Sequence, residues 1–198
     1  MRLVYTIVLL LCFNIPSRAD EWPIPEIKRY YSINGHYMLK VIPTKIPTKY
    51  YQWREAKPKK KAKFSPSDTT IIHCHASFFK IDKDTTEIWT RNLINSIMPM
   101  EVIIADDGKS FVTFDNWSSL GYGPDVMVIY DGEGNLLKRY RLDDFTPFPL
   151  NSYTISVTSI WWRCGSNYID NYSINICFQN DQKKLIKKQY NLTKLEFE

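Results

Sequence analysis

Residues 100–131, MEVIIADDGKSFVTFDNWSSLGYGPDVMVIYD, decide the fold. Residues 100–105 and 110–115 are short runs of Val, Ile and Phe, and Asp106-Asp107-Gly108-Lys109 between them is a hairpin turn. Such runs, separated by an Asx-Gly turn, read as antiparallel strands. Residues 125–131, DVMVIYD, make a third strand. The piece joining the second strand to the third, residues 116–124, is too long for a tight hairpin and carries Trp117, Tyr122, Gly121 and Gly123.

The same grammar extends in both directions. Residues 36–43 follow an Asn34-Gly35 turn, residues 70–81 and 86–91 flank Asp82-Lys83-Asp84-Thr85, and residues 135–142 follow Gly132-Glu133-Gly134. Residues 153–163 and 172–179 read as a further strand pair, and the chain ends in LIKKQYNL and TKLEF. A single helical turn is expected around Leu142–Phe145, because Pro147 and Pro149 stop anything longer. The expected fold is therefore all-β, an antiparallel meander of about 8–11 strands arranged as a sandwich or a partial propeller-like sheet. There is a faint internal echo, either similar to propeller blade edges or only the hairpin habit of Asx-Gly: residues 32–41 and 105–114 share an Asx-Gly turn, a polar residue and a strand, and residues 131–137 are a weaker third copy. The spacings are unequal, so this is not a clean repeat.

The first residues, MRLVYTIVLLLCFNIPSRAD, pair a basic start with an apolar run and small residues before Asp20. They read as a secretory signal at 1–19, followed by a single domain at 20–198. The apolar run is short for a membrane span, and Leu11 before Cys12 is bulky where a lipoprotein signal wants a small residue. The expected protein is exported, periplasmic or extracellular, and not membrane-spanning. Removing Arg2 and Arg18 takes 26 basic residues to 24 against 21 acids, a net of +3. That is too mild to imply nucleic acid. Residues 50–67, YYQWREAKPKKKAKFSPS, read as a solvated lysine-rich loop, and Lys183, Lys184, Lys187 and Lys188 add a second basic cluster that acidic glycans or a lipid surface could meet.

Export permits disulfides. If Asp170-Asn171 is a two-residue turn, Cys164 and Cys177 face one another across the hairpin, at a separation a disulfide can bridge. A turn at Gly165-Ser166-Asn167 would break that register. Cys74 is then an unpaired, buried hydrophobe. Trp161 and Trp162 must point to opposite sides of their strand, one inward and one outward.

Candidate chemistry is sparse. His73 and His75 would share a face of a strand, yet a metal needs more ligands than two, so they are weak metal candidates and no cofactor is implied. No nucleophile elbow, phosphate loop or metalloprotease motif is present. The richest cluster is Asp115, Asn116, Trp117 and Tyr122. One reading makes it a ligand-binding loop, with aromatics stacking on a sugar or anchoring a partner. The other makes Trp117 a core plug, the glycines suppliers of left-handed backbone, and Asp115 a cap for loop amides. The expected function is a non-catalytic binding or envelope-associated protein whose partner is an envelope protein or a glycan. The alternative is a small hydrolase or metal-dependent enzyme assembled around His73 and His75.

The segment ADDGKSFVTFDNWSSLGYGPDVMVIYDGEGNLLKRYRLDD, followed by SVTSIWWR, resembles a family of uncharacterised exported bacterial proteins sharing an Asp-Gly turn, a VTFDNW-like strand end and a Gly-Tyr-Gly loop. The resemblance covers roughly residues 32–163. It implies a bacterial envelope or secreted location and brings no activity, cofactor or catalytic residue.

Overall fold

The computed structural model describes residues 22–45 and 73–198. The signal read at 1–19 and the lysine-rich loop at 50–67 lie outside them. The described chain forms fourteen strands in antiparallel sheets, none closed into a barrel. The strands are β1 (Lys28–Tyr31), β2 (Tyr37–Ile42), β3 (His75–Ile81), β4 (Thr85–Asn92), β5 (Pro99–Ile104), β6 (Ser110–Asn116) and β7 (Met127–Asp131). They continue as β8 (Leu136–Tyr140), β9 (Thr154–Ile155), β10 (Ile160–Trp161), β11 (Arg163–Asp170), β12 (Ser173–Gln179), β13 (Leu185–Asn191) and β14 (Glu196–Phe197). Eleven of them have four or more residues, the upper end of the expected range. A 3-10 turn at Leu142–Asp144 sits where the prolines allow one.

Twelve strands fall into three four-stranded meanders, β1–β4, β5–β8 and β11–β14, each with its strands in chain order. The closest backbone approaches between meanders bring β5 against β1, β2 and β11. The middle meander lies between the other two, and its strands show why. Phe111, Val128 and Tyr130 enter a core with Leu39, Val41, Ala76 and Phe78 from the first meander. Val112, Phe114, Met127 and Ile129 enter a second core with Ile174, Ile176, Phe178 and Tyr190 from the third. Alternate residues of one strand thus serve opposite cores, as the two-residue period of a strand requires. All seven residues of β6 are buried.

The echo in the sequence has a structural counterpart. Asn34-Gly35 joins β1 to β2 and Asp107-Gly108 joins β5 to β6, the same position in successive meanders. The two turns also touch: the Asn34 backbone N–H donates to Asp106 Oδ1 and its side-chain amide to Asp106 O, both at 2.9 Å. Gly108 has a φ of 70°, and a Cβ there would collide with the Tyr37 ring. The third copy joins β7 to β8 and is not equivalent.

Residues 153–163 do not form one strand. They fold into a small arm, β9 and β10, with Ile160 opposite Ile155 and Trp161 opposite Thr154. The partner of β12 is instead β11. The turn at Ser156-Val157-Thr158-Ser159 has neither Gly nor Asx and consists largely of β-branched and hydroxyl residues, which disguises it as strand.

Candidate functional site

Asp115, next to last in β6, has a left-handed backbone, φ 56°, which Asp tolerates better than most residues. Its carboxylate is 1% exposed. Oδ1 accepts hydrogen bonds from the Gly121 backbone N–H at 2.7 Å and from Trp162 Nε1 at 2.9 Å. Arg163 Nη2 lies 3.6 Å from Oδ2. The guanidinium also donates to Glu101 and Ser166 and sits 4.4 Å from the centre of the Phe114 ring. Burial pushes the Asp115 carboxyl above its ordinary range, while Arg163 and the two N–H donors pull it down. The cluster ties β6 of the middle meander to the chain entering β11 of the third.

The other expected site residues are also built into the frame. Asn116 is buried and accepts from the Asn95 amide at 2.9 Å; Asn95 in turn accepts from Thr113. Trp117 points inward: it is 7% exposed, belongs to the first core, and meets Trp22 edge-on at 5.8 Å. Tyr122 is half-buried and donates its hydroxyl to Ser156 O. Of the two readings of this loop, the geometry is that of the core plug. Asp115 caps the Gly121 amide, and Gly121 and Gly123 take φ of 70° and 86°.

The loop holds out the β9–β10 arm. Tyr122 binds the arm's tip, the Ile160 N–H donates to Leu120 O at 2.8 Å, and Trp22 Nε1 donates to Thr158 at 3.1 Å. On this arm Trp161 is 57% and Val157 99% exposed, while neighbouring Trp162 is 1% exposed. One tryptophan in and one out is the division that strand alternation demands.

Cys164 and Cys177 form a disulfide with Cα atoms 5.2 Å apart. The register that joins them differs from the expected one. The turn lies one residue later, with Asp170 opposite Ser173, and two irregularities follow: one between Tyr168 and Asp170, the other between Arg163 and Gly165. The second leaves Cys164 and Gly165 both opposite Cys177, as in a β-bulge. Cys74 is free and fully buried, and desolvation pushes its thiol up to about 12.

His75 opens β3, and exposed His73 stands just before the strand. The His75 ring nitrogen Nδ1 lies 3.1 Å from the His73 carbonyl oxygen. Among the described residues no group of three or more His, Cys, Asp or Glu is placed to hold a metal ion. Nor is any described helix long and apolar enough to cross a membrane.

Sequence reasoning missed Arg163. Strand alternation after an inward Trp162 sends residue 163 outward, but the chain breaks between β10 and β11 and turns it back in. The signal available was an arginine next to two tryptophans, a common partner for aromatic faces. Comparison with known proteins identifies no matching family model and no matching curated protein.

Proposed function

We propose that the protein is an exported, non-catalytic binding module associated with the bacterial envelope. One observation carries the reading: the loop richest in candidate chemistry spends its polar groups internally and presents an arm bearing exposed Trp161 and Val157. A large aromatic held in water costs free energy, and such residues are enriched where proteins meet partners. The Cys164–Cys177 disulfide suits a chain that matures in an oxidising compartment. An envelope protein or a glycan fits such a surface.

The experiment pairs localisation with binding. N-terminal sequencing of protein from the extracellular and periplasmic fractions is expected to start at Asp20; a leader retained on cytosolic protein would overturn export. Trp161→Ala should lose retention on an isolated envelope fraction while keeping the wild-type unfolding midpoint. Equal retention of wild type and variant would remove the arm as the binding surface.

A further inference from the structure

The side chains of the third meander divide cleanly between its two faces. Tyr168, Ile174, Ile176, Phe178 and Tyr190 face the core. Pairing places Asn167, Asn175 and Gln189 in one row across β11, β12 and β13 on the opposite face. The adjacent row is Gly165, Cys177 and Lys187. Adjacent strands lie roughly 4.8 Å apart, so each row offers its polar groups at a short, regular spacing.

Two of the three amides are unspent, while the Asn167 amide donates to Tyr168 O at 2.9 Å. The side chains of Asn175 and Gln189 make no hydrogen bond among the described residues, and a Cβ at Gly165 would meet nothing within 4 Å. The exposed charge on and beside β13 is mainly positive, and the acids lie at the margins. Lys187 is exposed in the second row, and exposed Lys183 and Lys184 stand at the β12–β13 turn. None of the three has an ion-pair partner among the described residues. Asp181 is the acid of that turn, Glu196 lies in the far row opposite Asn191, and Glu198, whose N–H donates to Gln189 O, turns its carboxylate to Asn191 and Lys194 at the sheet edge. Across β11, β12 and β13 neither of the two central rows carries an acid.

The geometry points to this face as a binding site for an anionic polysaccharide lying across the strands. Amide side chains both donate to and accept from hydroxyls, which suits a sugar chain, and unpaired ammonium groups suit its carboxylates. A lipid surface would want a cluster of apolar side chains beside the lysines; exposed Leu185 stands there alone, and the two central rows have none apart from the disulfide. The inference rests on the binding-module reading and supplies the ligand class for a surface separate from the arm.

The test is affinity electrophoresis of the purified chain in gels containing polygalacturonate or neutral dextran, with phosphatidylglycerol vesicles as a separate sedimentation arm. Polygalacturonate is expected to retard the protein, dextran is not, and added salt should weaken the effect. Lys187→Gln combined with Asn175→Ala should weaken retardation about ten-fold, the equivalent of about 1.4 kcal/mol, with an unchanged unfolding midpoint. No retardation by polygalacturonate, equal retardation by dextran, or binding to vesicles alone would each overturn the inference. So would retardation that survives the double change. If Trp161→Ala abolishes polygalacturonate binding and the face variant does not, the inference fails while the binding-module reading stands.

Discussion

The indole of Trp162 donates to the carboxylate of Asp115 across 2.9 Å, and through that bond the end of β6 is fastened to the start of the third meander. Removing the carboxylate with Asp115→Ala orphans the Gly121 and Trp162 N–H groups and leaves Arg163 without its buried counter-charge. The expected loss is about 3–5 kcal/mol, the range for breaking a buried ion pair from one side. Asp115→Asn keeps an acceptor for both N–H groups and should lose less. Chemical denaturation of the two variants checks the order.

The same residue gives a pH dependence with a definite sign. The folded Asp115 carboxyl titrates above the ordinary value of 3.8, so the folded state holds its proton more tightly than the unfolded state. Its contribution therefore favours folding in acid and is lost as pH rises from the ordinary carboxyl range through the raised one. Denaturation midpoints collected from acidic to neutral pH should show this component in the wild type. Asp115→Asn should lack it, and the same-signed slope that persists belongs in part to Asp125, also raised by burial.

Gly121 and Gly123 separate two costs. Both have positive φ, so alanine at either position pays about 1–2 kcal/mol of backbone strain. At Gly121 a Cβ would also lie 2.8 Å from Ile160 Cβ, whereas at Gly123 it meets nothing within 4 Å. Gly121→Ala should thus cost clearly more than Gly123→Ala and should loosen the arm, measured as faster amide exchange at Ile160.

Trp117→Ala should destabilise the protein by about 3–5 kcal/mol, as expected for deleting a buried tryptophan. Trp161→Ala, on the exposed side of the arm, should stay within about 0.5 kcal/mol of wild type. Thermal unfolding of the pair distinguishes plug from platform.

Reduction of Cys164–Cys177, which are 13 positions apart, should cost about 3 kcal/mol by the loop-entropy estimate. Cys74, buried with its thiol pushed up to about 12, should resist alkylation in the folded protein and react after unfolding. Peptide mass mapping of alkylated sites reads both results.

Much of the frame was legible because it rests on local pattern. Val, Ile and Phe runs between Asx-Gly turns located β2 and β5–β7, and the two Trp residues divided as alternation requires. Pattern failed where the chain departs from regular pairing. The arm was hidden because Ser156–Ser159 lacks turn residues, and the cysteine register came out joined for a different reason because a bulge compensated a shifted turn. The loop at 115–122 held the right residues for recognition, but composition cannot tell an aromatic facing a ligand from one facing Trp22. Arg163 was lost to a break in the strand that no residue type announces.

The central strands of the middle meander, β6 and β7, have no outside. Val126–Tyr130 is apolar on both faces, and its solubility depends on neighbours contributed by chain far before and far after it. Were either flanking meander to detach, the run would become a β-rich, uncharged segment of the kind that templates pairing between molecules. The first and third meanders are therefore guards as well as structural layers, and damage to the Asp115–Trp162 fastening should show itself as aggregation before it shows itself as lost binding.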